Sequence, residues 1–176
     1  MKEASVTRAD EAEVQAWIEK TRLTELVAVL SSAIDRGDKE LIASCYAEES
    51  YDDHGGFKGS GREFAEYICT PSPSRDADMM LHHLIGQSLF HVDGDEAWGE
   101  TFFIFHMSHG DLLLPGVGRY IDYFVRAGAE WKVKYRRVVP DWVGSVTATI
   151  SPSMETYVRV ARDHTDPVYD RRRWHD

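Results

Sequence analysis

The N-terminal part of the chain places apolar side chains three or four positions apart, which is the period of an α-helix. The longest such run predicts a helix over residues 10–34, which Thr21 either divides in two or leaves continuous. Gly37 follows it and is able to adopt the left-handed conformation that ends many helices. Two shorter runs predict further helices over residues 38–47 and 61–69.

From residue 80 onward the pattern becomes that of β-strands separated by turn signals. It predicts four strands, over residues 80–92, 97–107, 118–126 and 131–139. The first two are joined by the hairpin signal Asp93-Gly94-Asp95, and a longer loop over 109–116 precedes the third. A short strand and a glycine-rich turn fit residues 51–61. Helices followed by a hairpin-rich antiparallel sheet predict an α+β fold, a curved sheet wrapped around helices to form a cone with an apolar pocket.

Length and charge narrow the class of protein. The 176 residues predict one domain over 1–144, with 145–176 as an extension that packs on the body or on a neighbouring subunit. A net charge of −10 disfavours nucleic acid and anionic membrane surfaces as partners. The polar N-terminus and the absence of a long apolar run lead us to expect a cytoplasmic protein. Cys45 and Cys69 lack the spacing of a zinc site.

Six short motifs occur in an order that is specific as a set. They are Ala33-Ile34-Asp35-Arg36-Gly37-Asp38, Tyr51-Asp52-Asp53-His54-Gly55, His82-His83-Leu84-Ile85-Gly86, Asp93-Gly94-Asp95-Glu96-Ala97, Gly118-Arg119-Tyr120 and Trp131-Lys132 with Arg136-Arg137-Val138-Val139. Over about residues 12–143 the chain resembles the SnoaL-like branch of the NTF2-like superfamily, the branch of scytalone dehydratase, bile-acid 7α-dehydratase and hexachlorocyclohexane dehydrochlorinase. The resemblance implies an Asp–His pair, no metal or organic cofactor, and a trimer or dimer.

Asp35 and His83 are the catalytic pair that the resemblance implies. Asp35 stands at the end of the long predicted helix, and His83 precedes Gly86 at the spacing of the family. Alternate residues of a strand point to opposite faces, so only one of His82 and His83 faces the interior, and the spacing selects His83. The alternatives are a surface aspartate in a helix-ending turn and a histidine with a structural role.

For the other candidate site residues, the role depends on which groups surround the side chain. His54 falls near a tyrosine that assists the leaving group in related dehydratases, so it is either an acid or an ordinary loop histidine. Arg119 is either a cationic pocket residue or an outward arginine paired with the acidic surface. The remaining substrate-binding candidates are Tyr51 and Phe57 at the mouth, with Thr101, Phe103 and Phe105 as one wall. Both faces of that strand are apolar, which predicts that the outer face is buried in a homo-oligomer.

The chain also departs from the family pattern. Some relatives place a tyrosine or lysine about five residues before the helix-end aspartate, where this chain has Leu30. Help for a leaving group from that position is therefore absent or supplied elsewhere. A metal cluster of Asp52, Asp53, His54 and His83 has no support from the family, so no metal is expected.

The resemblance implies a cofactor-independent lyase. His83, oriented by Asp35, would remove a proton from a hydroxylated aromatic, polyketide-like or alicyclic small molecule, and a leaving group would depart. Dehydration and related C–O or C–C cleavage, such as loss of formaldehyde, are all compatible with the pair. One alternative is an isomerase of the same fold. Another is a non-catalytic subunit or ligand-binding module, like the β subunit of ring-hydroxylating dioxygenases.

Overall fold

A computed structural model of the chain describes residues 10–72, 79–147, 157 and 161–169. Three α-helices lie in its N-terminal part: α1 (Glu11–Arg36), α2 (Lys39–Ser44) and α3 (Gly61–Cys69). Seven strands follow the second helix: β1 (Tyr46–Asp53), β2 (Lys58–Gly59), β3 (Met80–Asp93), β4 (Glu96–His109), β5 (Leu112–Ala127), β6 (Glu130–Val143) and β7 (Val146–Thr147).

Helix α1 is continuous from cap to cap. The Asp10 carboxylate accepts the backbone N–H of Glu13 at 2.7 Å, which satisfies one of the free donors of the first turn. Thr21 does not break the helix, because its hydroxyl donates to the carbonyl of Trp17 at 2.9 Å. Gly37 ends the helix with a left-handed φ of 66°. Helix α1 therefore runs two residues beyond its predicted end and includes Asp35 in its last turn.

The observed bounds of helix α3 agree with the sequence prediction, and those of helix α2 do not. Helix α3 occupies the predicted range, and Ser60 with Glu63 forms a capping box at its start. Helix α2 is shorter than predicted, because the chain becomes extended at Tyr46 and opens β1 there.

The strands form one open, curved, mixed sheet in the order β2-β1-β6-β5-β4-β3, with β7 beside β5. This confirms the predicted α+β class. All pairings are antiparallel except that of β1 with β6, which is parallel. The predicted loop over 109–116 is wrong: Gly110, with φ 56°, makes a tight turn, and β5 begins at Leu112.

The core lies between helix α1 and the inner face of the sheet. Leu23, Val27 and Leu30 of α1 are fully buried in one cluster with Phe103 of β4 and Phe124 of β5. Strand alternation places the inner residues of β4 and β5 toward the helix and leaves their neighbours on the outer face. The position at which some relatives have a tyrosine or lysine is therefore occupied here by Leu30, a buried core residue.

The described part of the C-terminal extension contacts the body near the end of helix α1. Strand β7 pairs with the start of β5, through Leu112 with Thr147. Residues 161–169, which end in a short 3₁₀-helix at Pro167–Tyr169, lie against the turn between α1 and α2. Within the described ranges, no helix is both long and apolar enough to cross a membrane.

Candidate functional site

Asp35 and His83 meet through two hydrogen bonds. The carboxylate Oδ1 of Asp35 lies 2.6 Å from Nδ1 of His83, and Oδ2 accepts the backbone N–H of His83 at 2.9 Å. The two side chains are 14% and 10% exposed, so the contact is shielded from solvent. One carboxylate thus holds both the ring and the backbone of the histidine, which fixes the imidazole relative to helix α1.

Strand parity separates the two adjacent histidines. In β3, Leu81, His83 and Ile85 are half-buried on the inner face, whereas His82 and Leu84 are exposed on the outer face. The His83 ring lies between two phenylalanines of β4, with centroids 6.1 Å from each of Phe103 and Phe105. The structure thus places His83 inside and His82 outside.

His83 borders an apolar cavity of about 170 Å³. The cavity lies where α1, α3 and the inner face of the sheet meet. Its wall consists of Ile34, His54, Phe64, Ile68, Leu81, His83, Phe103, Phe105, Tyr120 and Val138. None of these described lining residues is a lysine, arginine, aspartate or glutamate, so the cavity suits an uncharged ligand.

A second histidine–carboxylate pair borders the same cavity. Nδ1 of His54 contacts the Asp52 carboxylate, which is fully buried and also accepts the Tyr46 hydroxyl at 2.5 Å. The His54 ring stacks on Phe64, with centroids 4.2 Å apart. Burial, followed by the nearby Asp52 charge, holds the pKa of Tyr46 well above its usual range, so its hydroxyl remains a donor to Asp52.

Sequence reasoning missed Asp52 as the partner of His54. Asp52 and His54 are two positions apart, and residues at that spacing share a face of a strand. That spacing is a usable signal for the pair. The burial of Asp52 is not visible locally, because it depends on the pairing of β1 with the distant β6.

Tyr120 is another cavity residue that the sequence did not single out. Its ring stacks on Phe103 at a centroid distance of 4.3 Å and lies 4.0 Å from the guanidinium carbon of Arg136. Burial raises the pKa of Tyr120, and Arg136 only partly opposes that rise. Tyr120 therefore stays a neutral hydroxyl that is able to donate a hydrogen bond.

Arg119 lies on the opposite face of the sheet from Tyr120. Its guanidinium pairs with Glu100 at 3.1 Å, and its side chain is 40% exposed. Because neighbours in β5 point to opposite faces, a chain that turns Tyr120 inward turns Arg119 outward. The structure therefore gives Arg119 the outward, ion-paired position and does not bring it to the cavity.

The other predicted binding residues take different positions. Phe103 lines the cavity, whereas Thr101 is fully buried beside it and donates its hydroxyl to Ser88 at 3.0 Å. Phe57 packs on Phe64, one layer behind the cavity wall. Tyr51 is exposed and stacks on a neighbouring strand. The structure thus brings Asp35, His83, His54 and Phe103 together and leaves Thr101, Phe57 and Tyr51 outside the lining.

No group of three His, Cys, Asp or Glu side chains suited to a metal ion occurs in the part of the chain that the structure describes. Both histidines of the cavity use Nδ1 for a carboxylate. The arrangement is therefore suited to proton transfer through the remaining ring nitrogens.

The chain matches a known family of protein domains. The family model of the SnoaL-like domain matches residues 16–137, which is more than half of the chain. The chain belongs to the SnoaL-like family, and the resemblance inferred from its motifs is confirmed. No curated protein sequence matches the chain.

Solved structures share the fold. Rv3472 of Mycobacterium tuberculosis, a protein of unknown function, is 28% identical, with a TM-score of 0.63 over 71% of this chain and 77% of that chain. A candidate scytalone dehydratase from Novosphingobium aromaticivorans is 17% identical, with a TM-score of 0.63 over 84% and 94%. A hexachlorocyclohexane dehydrochlorinase, LinA-type3 from Novosphingobium barchaimii, is 12% identical, with a TM-score of 0.68 over 79% and 99%. At these last two identities the likeness concerns the fold alone.

Proposed function

We propose that the protein is a cofactor-independent lyase in which His83 is the general base and Asp35 orients it. The observation that carries the proposal is the doubly hydrogen-bonded Asp35–His83 pair at the wall of an apolar cavity. Two structural neighbours, the candidate scytalone dehydratase and the dehydrochlorinase, are named for eliminations. That agreement between fold and pair favours elimination over other uses of an imidazole.

The two ring nitrogens of His83 have different roles in this proposal. With Asp35 on Nδ1, the neutral ring carries its proton there, and Nε2 keeps a free lone pair. The carboxylate also stabilises the imidazolium that forms when Nε2 takes a proton, as in other carboxylate–histidine pairs. General-base catalysis of this kind contributes roughly 10²–10⁴-fold to the rate.

The proposed elimination forms one double bond and breaks two single bonds. Nε2 of His83 takes a proton from the carbon next to the one that bears the leaving group. The electron pair of that C–H bond forms the double bond, and the bond to the leaving group breaks with its pair on the departing atom. If the leaving group is hydroxide, a proton from Nε2 of His54, whose Nδ1 contacts the Asp52 carboxylate, converts it to water.

The cavity points to a single-ring substrate. A protein cavity of about 150 Å³ is able to hold benzene, so the volume of about 170 Å³ suits one six-membered ring. Phe103, Phe105 and Phe64 supply apolar contact to its faces, and Tyr120 adds a neutral hydroxyl donor to the lining for an oxygen substituent. We therefore propose a monocyclic compound that is saturated at the two reacting carbons, with a hydroxyl or halogen leaving group on one of them and an acidified C–H bond on the other.

Isomerisation is the second candidate function, and the presence of two carboxylate-bound histidines at one cavity favours it. In that reaction His83 removes a proton and His54 returns one at a different carbon, so nothing leaves. Turnover in D₂O separates the two reactions. An isomerase incorporates deuterium without loss of mass from a leaving group, whereas a lyase releases the group.

The proposal predicts a sharp contrast among histidine variants. Purified protein is incubated with β-hydroxycyclohexanones, cyclohexanols and chlorinated cyclohexanes, and products are followed by mass spectrometry. We expect His83→Ala and Asp35→Asn to lose roughly 10²–10⁴-fold in turnover, because both remove the oriented base. His106→Ala is the matched control, since His106 is exposed on the outer face of the neighbouring strand β4, and it should keep wild-type turnover.

Two results would contradict the proposal. Unchanged turnover in His83→Ala would remove His83 from the mechanism. Failure of the wild-type protein to convert any compound of the panel, together with reversible binding of one of them, would instead support a non-catalytic ligand-binding module.

A further inference from the structure

The end of helix α1 has an external hydrogen-bond partner. The last four carbonyls of a helix have no partner within it. Here the backbone N–H groups of Gly37 and Asp38 reach the carbonyls of Ile34 and Ala33, at 3.2 and 2.9 Å. The carbonyl of Asp35 instead accepts Nη1 of Arg162 at 3.1 Å, from a segment far along the chain.

Residues 161–169, the C-terminal clamp, hold this turn at further points. The Tyr169 hydroxyl donates to the Asp38 carboxylate at 2.8 Å, and the Asp166 carboxylate lies 3.7 Å from Nε of Arg36. A Cβ atom at Gly37 would lie 3.1 Å from the carbonyl oxygen of Arg162, so only glycine leaves ordinary room there. The clamp therefore packs directly on the backbone of the turn that carries Asp35.

Arg162 is suited to this position by charge as well as by geometry. A cation at the C-terminal end of a helix interacts favourably with the helix dipole. Burial lowers the pKa of Arg162, and the charges of Cys69 and Asp35 oppose that change. The guanidinium is half-buried, so little bulk water competes for the Asp35 carbonyl.

We propose that Arg162 is a positioning residue, which holds the last turn of α1 so that the Asp35 carboxylate keeps both of its hydrogen bonds to His83. Terminal turns of helices fray, and Asp35 lies in the last turn before the glycine cap. Without the Arg162 bond, a half-buried carbonyl loses its partner and the turn gains freedom. The region matched by the family model ends at residue 137, so this support comes from outside it.

The inference rests on the proposed role of the Asp35–His83 pair, but it is tested without any substrate. The protein is labelled with ¹⁵N-histidine, and the tautomer of His83 is measured by NMR at a pH where its ¹⁵N shifts are those of a neutral ring. Arg162→Met removes the donors and keeps an aliphatic chain of similar length. We expect the ratio of the Nδ1–H to the Nε2–H tautomer of His83 to fall roughly fivefold, the effect of losing one hydrogen bond of ordinary net strength.

Two further variants separate positioning from general stability. Arg162→Lys retains a cationic donor and should restore most of the wild-type tautomer ratio. Lys132→Met is the control: Nζ of Lys132 donates to the carbonyl of Ser44 at the end of helix α2, at 2.8 Å, and also pairs with the exposed Glu130 at 2.7 Å, so it removes the same kind of bond elsewhere together with a surface ion pair. This control should lower the melting temperature and leave the tautomer ratio of His83 unchanged.

The outcomes are distinguishable from failure of the proposed function. A wild-type tautomer ratio in Arg162→Met would overturn the positioning role, whatever happens to its stability. An equal change of the ratio in Lys132→Met would overturn it too, because the effect would then be general. An altered ratio confined to Arg162→Met would support it even if the wild-type protein turned over none of the cyclic compounds.

Discussion

A buried ion pair forms the polar layer beneath the cavity. The Asp122 carboxylate accepts two hydrogen bonds from the Arg136 guanidinium, at 2.8 and 2.7 Å, and both side chains are almost fully excluded from water. Arg136 also lies against the ring of Tyr120, which lines the cavity. Removal of one member of a buried pair leaves an uncompensated charge, which costs about 3–5 kcal/mol.

This pair predicts a large difference between buried and exposed ion pairs in one sheet. Asp122→Asn should lower the free energy of unfolding by about 3–5 kcal/mol, because Arg136 remains charged and buried. Glu100→Gln, in the exposed pair with Arg119, should cost about 1 kcal/mol or less. Urea unfolding followed by circular dichroism measures both. Similar losses in the two variants would contradict the assignment of Asp122 and Arg136 to a dry interior.

At the residue scale, the sequence predicts side-chain positions that depend on strand alternation and motif spacing. The selection of His83 over His82 needed strand alternation and the spacing to Gly86 that the family resemblance implies. The choice between an inward and an outward Arg119 depended on which face of β5 turns toward the helices, and alternation alone does not provide that. The contact of Asp52 with His54 needed the tertiary burial of β1, so the second pair was visible only in part.

At the scale of elements, Glu19 joins helix α1 to the β5–β6 hairpin. Its carboxylate accepts Nε1 of Trp131 at 2.7 Å and Nη2 of Arg126 at 2.8 Å. Burial acts to raise the pKa of Glu19, but these hydrogen bonds and the charge of Arg126 outweigh it and lower the pKa. Because the folded state favours the carboxylate, Glu19 stabilises the fold when ionised.

The direction of this shift predicts the response to acid. The contribution of Glu19 is fully present above its ordinary pKa of 4.5 and is lost as the pH falls through the lowered pKa of the folded state. The stability gap between the wild type and Glu19→Gln should therefore narrow by on the order of 1 kcal/mol between neutral and acidic pH. Glu25→Gln, an exposed position of the same helix, should track the wild type throughout. Urea titrations at a series of pH values measure the gap, and a gap that is constant with pH would contradict the role of Glu19.

Elements with a long, regular period were predicted well, and those that depend on distant partners were not. Helix α3 and strands β3, β4 and β6 carry clear patterns and local turn signals. The start of β5 is predicted as a loop, since the segment from His109-Gly110-Asp111 to Pro115-Gly116 is rich in turn residues. The parallel pairing of β1 with β6 joins distant parts of the chain, and no local pattern specifies it.

At the scale of the whole molecule, the outer face of the sheet carries an apolar row. Leu84, Ile104, Val117 and Trp142 are successive cross-strand neighbours on β3, β4, β5 and β6. Leu84, Ile104 and Trp142 are 60%, 40% and 53% exposed. A contiguous apolar row of this kind on a sheet face marks an interaction surface, and we propose that a second copy of the chain covers it.

This surface predicts a change of oligomeric state. The wild-type protein should sediment as a dimer or trimer, and Ile104→Glu should sediment as a monomer, because it buries a charge within the row. Leu41→Glu, on the exposed side of helix α2, is the control for an added charge and should retain the wild-type state. Analytical ultracentrifugation at several protein concentrations measures both, and a monomeric wild type at all of them would refute the interface.

The bond from the His83 backbone to Asp35 has a consequence beyond chemistry. Strand β3 is the last strand of the sheet, and the free N–H groups of an edge strand are a template for unwanted pairing with other chains. The Asp35 carboxylate occupies one of those donors. Removal of the carboxylate frees this N–H group for pairing with other chains and also leaves the imidazole without its partner. Low yield and aggregation of Asp35→Ala in cells would therefore follow from the unprotected edge of β3. Selection on solubility and selection on turnover would then act on the two oxygens of one carboxylate.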